Sequence, residues 1–165
     1  MSVRDELRHE IEETRAAFHQ LLAKIPDEAL SRPSDNPAWT IGEVLYHMSL
    51  APRLMVADVS MITSQRNVYQ LFIKMIPQSL FDWVNKIYTR SKGSNLSRQE
   101  LAAAYDQATA KILQTLHEVK DEDFRKSAAY PGWDPLLSGE VTLGHLFHYV
   151  KAHFEVHEQQ IRRLI

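Results

Sequence analysis

Apolar residues in this chain recur at intervals of three and four over four long segments, and no other feature narrows its possible folds so far. That interval is the period of an α-helix with one buried face. From Ser2 onward, Leu7, Ile11, Thr14, Phe18, Leu21, Leu22 and Ile25 predict a first helix, which Pro26 ends. After a loop holding Pro33 and Pro37, Thr40-Ile41-Gly42-Glu43 has the spacing of a capping box and starts a second helix. Its inward stripe is Ile41, Val44, His47, Ala51, Leu54 and Met55. Pro52 lacks the amide that would bond to Met48, so a kink is expected about one turn after His47. Ser97 and Glu100 form a second capping box ahead of Leu101, Tyr105, Ala108, Ile112, Leu116 and Val119. Thr142 caps a fourth segment with Leu143, Leu146, Val150, Phe154, Ile161 and Leu164 on one side.

Between the second and third helices lie Val68, Leu71, Phe72 and Met75, then Leu80, Phe81, Val84, Ile87 and Tyr88, both sets at helical spacing around Pro77. A connection of this length can run the full height of a bundle. Only five glycines occur in 165 residues, which argues against phosphate-cradling loops and strand turns. The stretches Pro26 to Pro37, Lys92 to Asn95 and Tyr130 to Gly139 read as loops within one domain spanning residues 1–165. The expected architecture is therefore an all-α four-helix bundle with a long, partly helical crossover between helices two and three.

Composition narrows the chemistry. With no cysteine, disulfides, zinc ribbons, iron–sulfur clusters and cysteine nucleophiles are excluded, and any metal must sit on His, Asp or Glu. A formal charge of −2 offers no basic excess for nucleic acid. The absence of a long apolar run argues against a membrane span, and the expectation is a soluble, cytoplasmic protein acting on a small molecule.

Eight histidines remain, and the helical wheel sorts them. His153 and His157 lie about 40° apart on the wheel and one turn apart along the axis, flanked by the apolar stripe of helix four. His148 falls about 140° away, among charged residues, and reads as solvent-exposed; His145 is intermediate and a candidate for the pocket rim. His47 is the remaining inward candidate, on helix two. His9, His19 and His117 lie off the seams or on a flank. Two imidazoles at i and i+4, with a third from a neighbouring helix, would present three neutral nitrogens to one side of a divalent ion and leave the other side open. The competing reading is an HxxxH spacing arisen by chance and a hydrogen-bonded core His47. Trp39 could roof the pocket or staple the helix start; Glu43 could bond a ligand or serve only its capping box. Asp58 shares nearly the wheel angle of His47, although the expected kink breaks that phase.

The segments Trp39-Thr40-Ile41-Gly42-Glu43-Val44-Leu45-Tyr46-His47, Thr142-Leu143 and His153-Phe154-Glu155-Val156-His157-Glu158-Gln159-Gln160-Ile161 together resemble the DinB-like (DinB/YfiT) helical-bundle family. The resemblance covers nearly the whole chain. It departs at Gln159, where many relatives carry glycine. It implies an up-down-down-up bundle and a metal, commonly nickel or zinc, on His47, His153 and His157. His145, Glu43, Trp39 and Gln160 become candidates for the surrounding shell or pocket. Two enzyme branches follow: a hydrolase, or a thiol-dependent S-transferase using a low-molecular-weight thiol such as bacillithiol, which a chain without cysteine would have to borrow. The alternative is a non-catalytic metal- or ligand-binding bundle, and exposed bundle faces would permit a homodimer. No general base is evident in the sequence.

Overall fold

The computed structural model describes residues 2–64 and 76–165. Helix α1, Val3–Lys24, starts on a Ser2–Asp5 capping box and buries Leu7, Ile11, Thr14, Phe18, Leu21 and Leu22, the face its spacing predicts. The second predicted helix is two: α2, Ile41–Met48, on the Thr40–Glu43 capping box, and α3, Leu50–Thr63. The interruption is at Ser49, whose hydroxyl donates to the Tyr46 carbonyl at 2.7 Å. Pro52 thus lies in the first turn of α3, where its missing amide breaks no helical bond, rather than kinking one continuous helix. Beyond the interruption Ala51 and Met55 are buried as their spacing predicts, while Leu54, also expected inward, is exposed.

The crossover contains α4, Gln78–Gly93. Of its predicted apolar face, Leu80, Val84, Ile87 and Tyr88 are exposed, and α4 buries only Thr89 and Gly93. Val68, Leu71, Phe72 and Met75 lie outside the described residues. Helix α5, Arg98–Glu118, begins on the Ser97–Glu100 box, and α6, Leu143–Arg162, is capped by Thr142. Short 3₁₀ turns at Asp27–Ala29 and Asp121–Arg125 follow α1 and α5.

Both α1 and α3 pack against α5 and α6. Two arginines tie the ends together. Arg4 donates to the carbonyls of His117 and Val119 at the end of α5, and Arg98 at its start donates to those of Leu22 and Ile25 at the end of α1. Two apolar clusters fill the bundle. One gathers Leu7, Met55, Ile112 and Leu146; the other gathers Phe18, Val44, Tyr105 and Phe154. Phe18 and Tyr105 stack in the latter, with ring centroids 3.9 Å apart and planes 5° from parallel. Among the described residues, no helix is long and apolar enough to cross a membrane.

The chain is not all-α. Strands β1, Ser127–Asp134, and β2, Leu137–Thr142, form an antiparallel hairpin that pairs Ser127 with Thr142 and is irregular between Pro131 and Asp134. Gly132, at φ 76°, supplies a left-handed conformation at that irregularity. Proline and glycine inside the strands are what make this segment read as a loop. The hairpin leads directly into α6, where the Leu143 amide donates to the Lys126 carbonyl at 2.8 Å.

A candidate metal centre on the wall of a cavity

Helix α6 places His153 and His157 one turn apart, and α2 brings His47 to meet them. His47 and His153 are buried, and His157 is half-buried. The three rings lie with centroids 4.6 to 4.9 Å apart, and one nitrogen from each can be chosen so that all lie within 4.8 Å of one another. Burial lowers the His47 pKa to about 3, with the neighbouring His157 adding to the effect. Burial likewise holds His153 well below its ordinary value, with His157 and His47 contributing. In His157 the burial effect outweighs the opposing influences of Gln160 and Asp134. All three rings are thus neutral at neutral pH, the state in which imidazole is a ligand.

The residues around the rings set their tautomers. His157 Nδ1 lies 3.0 Å from Gln160 Oε1. A carbonyl oxygen only accepts, so Nδ1 carries the proton and Nε2 keeps its lone pair. His47 Nδ1 lies 3.5 Å from Thr89 Oγ1, a fully buried hydroxyl of α4. On its other edge, His47 Nε2 approaches His153 Nε2 to 3.2 Å, while His153 Nδ1 is buried without a partner among the described residues. Without an ion, either one Nε2 holds a proton to bridge that gap or two lone pairs face each other, and His153 keeps an unsatisfied nitrogen in both cases. A cation accepting both Nε2 lone pairs removes the conflict between them, so these residues fit a divalent ion on three neutral nitrogens.

The other predicted site residues divide. Trp39 packs on His47, ring centroids 4.6 Å apart, and its Nε1 donates to the Lys86 carbonyl at 3.5 Å, so it covers the ring and also fastens α4 to the bundle. Gln160 stands beside the triad as described. Glu43 is directed elsewhere, Oε2 accepting from the Thr40 amide and Oε1 from the Ser94 hydroxyl. His145 is exposed and lines no part of the cavity at the triad. His148 is exposed and pairs with Glu10; His19 pairs with Asp106. The hydroxyls of Thr14 on α1 and Thr115 on α5 donate to backbone carbonyls within their own helices.

A cavity of about 290 Å³ opens on His47 and His153, walled by α2, α3, α4, the hairpin and α6. Its lining includes groups absent from the predicted site: Tyr130, Trp133 and Asp134 of the hairpin, which helical spacing passes over, and Tyr149 of α6, which lies one turn before His153 on the same face. The Tyr149 hydroxyl donates to Asp134 Oδ2, and Asp134 Oδ1 accepts the Leu136 amide at the hairpin turn. Burial, reinforced by the Asp134 carboxylate, pushes the Tyr149 pKa far up, so it remains a donor. Asp58 of α3 also faces this space. Burial pushes its pKa up to about 6, against the opposing hydrogen bond from Tyr130.

The family model of the DinB superfamily matches residues 10–161. The chain belongs to the DinB superfamily. Solved structures of similar fold include a Streptococcus pneumoniae protein (TM-score 0.70, 17% identity, 98% of this chain and 89% of that one). YfiT from Bacillus subtilis, described as a probable metal-dependent hydrolase with an unusual four-helix bundle topology, aligns at TM-score 0.67 and 16% identity over 98% of this chain and 85% of its own. A mycothiol-dependent maleylpyruvate isomerase aligns at TM-score 0.70 and 9% identity, covering 97% of this DinB chain, which spans 62% of the isomerase's length. No curated protein matches the chain. At these identities the likeness is one of fold.

Proposed function

We propose that this protein is a metal-dependent enzyme acting on a small molecule, with His47, His153 and His157 holding one nickel or zinc ion. The observation that carries the reading is the convergence of three neutral imidazoles from two helices, two of which, His47 and His153, stand on the wall of a cavity. A structural imidazole cluster has no need of an adjoining cavity, whereas a reacting metal needs an open side. A divalent ion on that triad supplies Lewis acidity toward a water, a thiol or a substrate carbonyl.

The chain's own residues prepare the site. Gln160 fixes the proton of His157 on Nδ1, Trp39 covers the His47 ring, and the apolar walls at Leu50, Ala51 and Met55 keep water from crowding the cavity. The DinB family and the names of two structural relatives support two branches, a metal-dependent hydrolase and an S-transferase or isomerase that borrows a thiol such as bacillithiol. The up-down-down-up sense of the bundle belongs to the same reading, supported by the arginine contacts between opposite ends of α1 and α5.

Metal analysis of untagged protein tests the site. Wild type should carry about one ion per chain, and His157→Ala, shown folded by circular dichroism, should lose it; equal stoichiometry in both refutes the triad. Metal-dependent conjugation of thiols to electrophiles selects the transferase branch, and metal-dependent ester or amide cleavage the hydrolase branch. Absence of both, with metal retained, returns the protein to the class of binding modules.

A further inference from the structure

The cavity beside the triad has an uneven chemistry. Its lining is mostly apolar and aromatic, it contains the carboxylates Asp58 and Asp134, and among the described residues no Lys or Arg contributes to it. Asp134 is engaged by the Tyr149 hydroxyl and the Leu136 amide. Asp58 is different: its partner is the Tyr130 hydroxyl, and no ion pair among the described residues includes it. A carboxylate withdrawn from water without a cationic partner is unfavourable, and chains retain such groups mainly where a ligand completes them. Phe81 and Trp133, stacked on one another with centroids 4.9 Å apart, both line the same space.

We propose that this cavity selects small organic cations, binding a protonated amine at Asp58 and the amine's aromatic or aliphatic body against Phe81 and Trp133. The inference rests on the functional reading above only in taking this cavity as the substrate's space. An ammonium gains a charge-assisted hydrogen bond from Asp58 and attraction to the aromatic faces, while a carboxylate in the same position meets two like charges and no basic side chain among the described residues. The volume, near the lower end of the roughly 300–1,000 Å³ range of small-molecule sites, suits a compact molecule with its amine at one end and its reacting group toward the histidines.

Calorimetric titration with 2-phenylethylamine, 2-phenylethanol and phenylacetate, three probes of nearly equal shape, separates charge from bulk. On both metal-stripped and metal-loaded protein, the amine should bind roughly 10- to 100-fold more tightly than the alcohol, as expected for one charge-assisted hydrogen bond. Asp58→Asn should bring the amine down to the alcohol's affinity while leaving the alcohol unchanged. Equal binding of amine and alcohol, preference for phenylacetate in the metal-stripped protein, or an amine preference that survives Asp58→Asn overturns the proposal. If wild type shows no amine preference and Asp58→Asn loses metal, the carboxylate balances the ion's charge instead. Amine preference in protein that holds no ion supports this inference while refuting the metal reading, so the two can fail separately.

Discussion

Replacing Asp58 by Asn should make the metal-free protein more stable at neutral pH, because the native fold holds an ionised carboxyl in an unfavourable place. Burial raises the Asp58 pKa from 3.8 to about 6. The difference of about two units, at 1.36 kcal/mol each, corresponds to roughly 3 kcal/mol lost on folding at pH values above both. The sign follows from proton binding. Between these two pKa values the folded chain holds a proton that the unfolded chain releases, so the penalty is complete above about pH 6, fades on acidification and is absent below about pH 3.8. Asparagine keeps the shape and can still accept a bond from the Tyr130 hydroxyl, but carries no charge. Structural relaxation around the charge reduces the net gain to about 1–3 kcal/mol at pH 7.5. Urea unfolding of wild type and variant, both stripped of metal, at pH 7.5 and pH 4 provides the measurement. Other titrating groups act equally on both proteins, so the difference between them isolates Asp58. A variant less stable than wild type at pH 7.5, or a gain of equal size at both pH values, refutes the reasoning. Stability gained by removing a polar group is the usual sign that the group serves binding or reaction rather than folding.

Other consequences are equally direct. Gln160→Ala frees the Nδ1 edge of His157 and should weaken metal binding about 10- to 100-fold in competition with a chelator, and unchanged affinity would show that the hydrogen bond does not orient the ligand. Gly93→Ala should destabilise the protein by roughly 1–3 kcal/mol in a thermal melt, because the added Cβ would sit 2.9 Å from Tyr46 Cβ; a rise in Tm contradicts this. Phe18→Ala removes a fully buried ring stacked on Tyr105 and should lower stability by about 3–5 kcal/mol in denaturant unfolding, with a loss below 1 kcal/mol showing that the cluster can collapse around the gap.

Local periodicity carries much of this protein. Each capping box and buried stripe depends on residues three or four apart, so Ser2, Thr40, Ser97 and Thr142 mark the starts of α1, α2, α5 and α6, and the one-turn spacing of His153 and His157 puts both on a single face. The inward position of His47 follows from the same arithmetic. What failed was whatever depends on continuity or on distant partners. Ser49 interrupts the helix while staying in the right-handed helical region, so the wheel angle that Asp58 shares with His47 survives and Asp58 does reach the cavity, whereas Leu54, placed in the stripe by the same wheel, is exposed. The strands are hidden by Pro131 and Gly132, whose local signal is that of a turn, while the pairing that makes them strands lies across the hairpin.

The sequence alone thus determined the capped starts of four helices, their buried stripes in the main and three inward histidines, since these are properties of one turn of backbone. Only the tertiary structure decided that Thr89 would stand beside His47 and that the hairpin would bring Trp133 and Asp134 to a space shared with α3 and α6. Helical spacing states which way a side chain faces along its own axis. It carries no information about which distant segment it will meet, and the cavity exists only where five such segments meet.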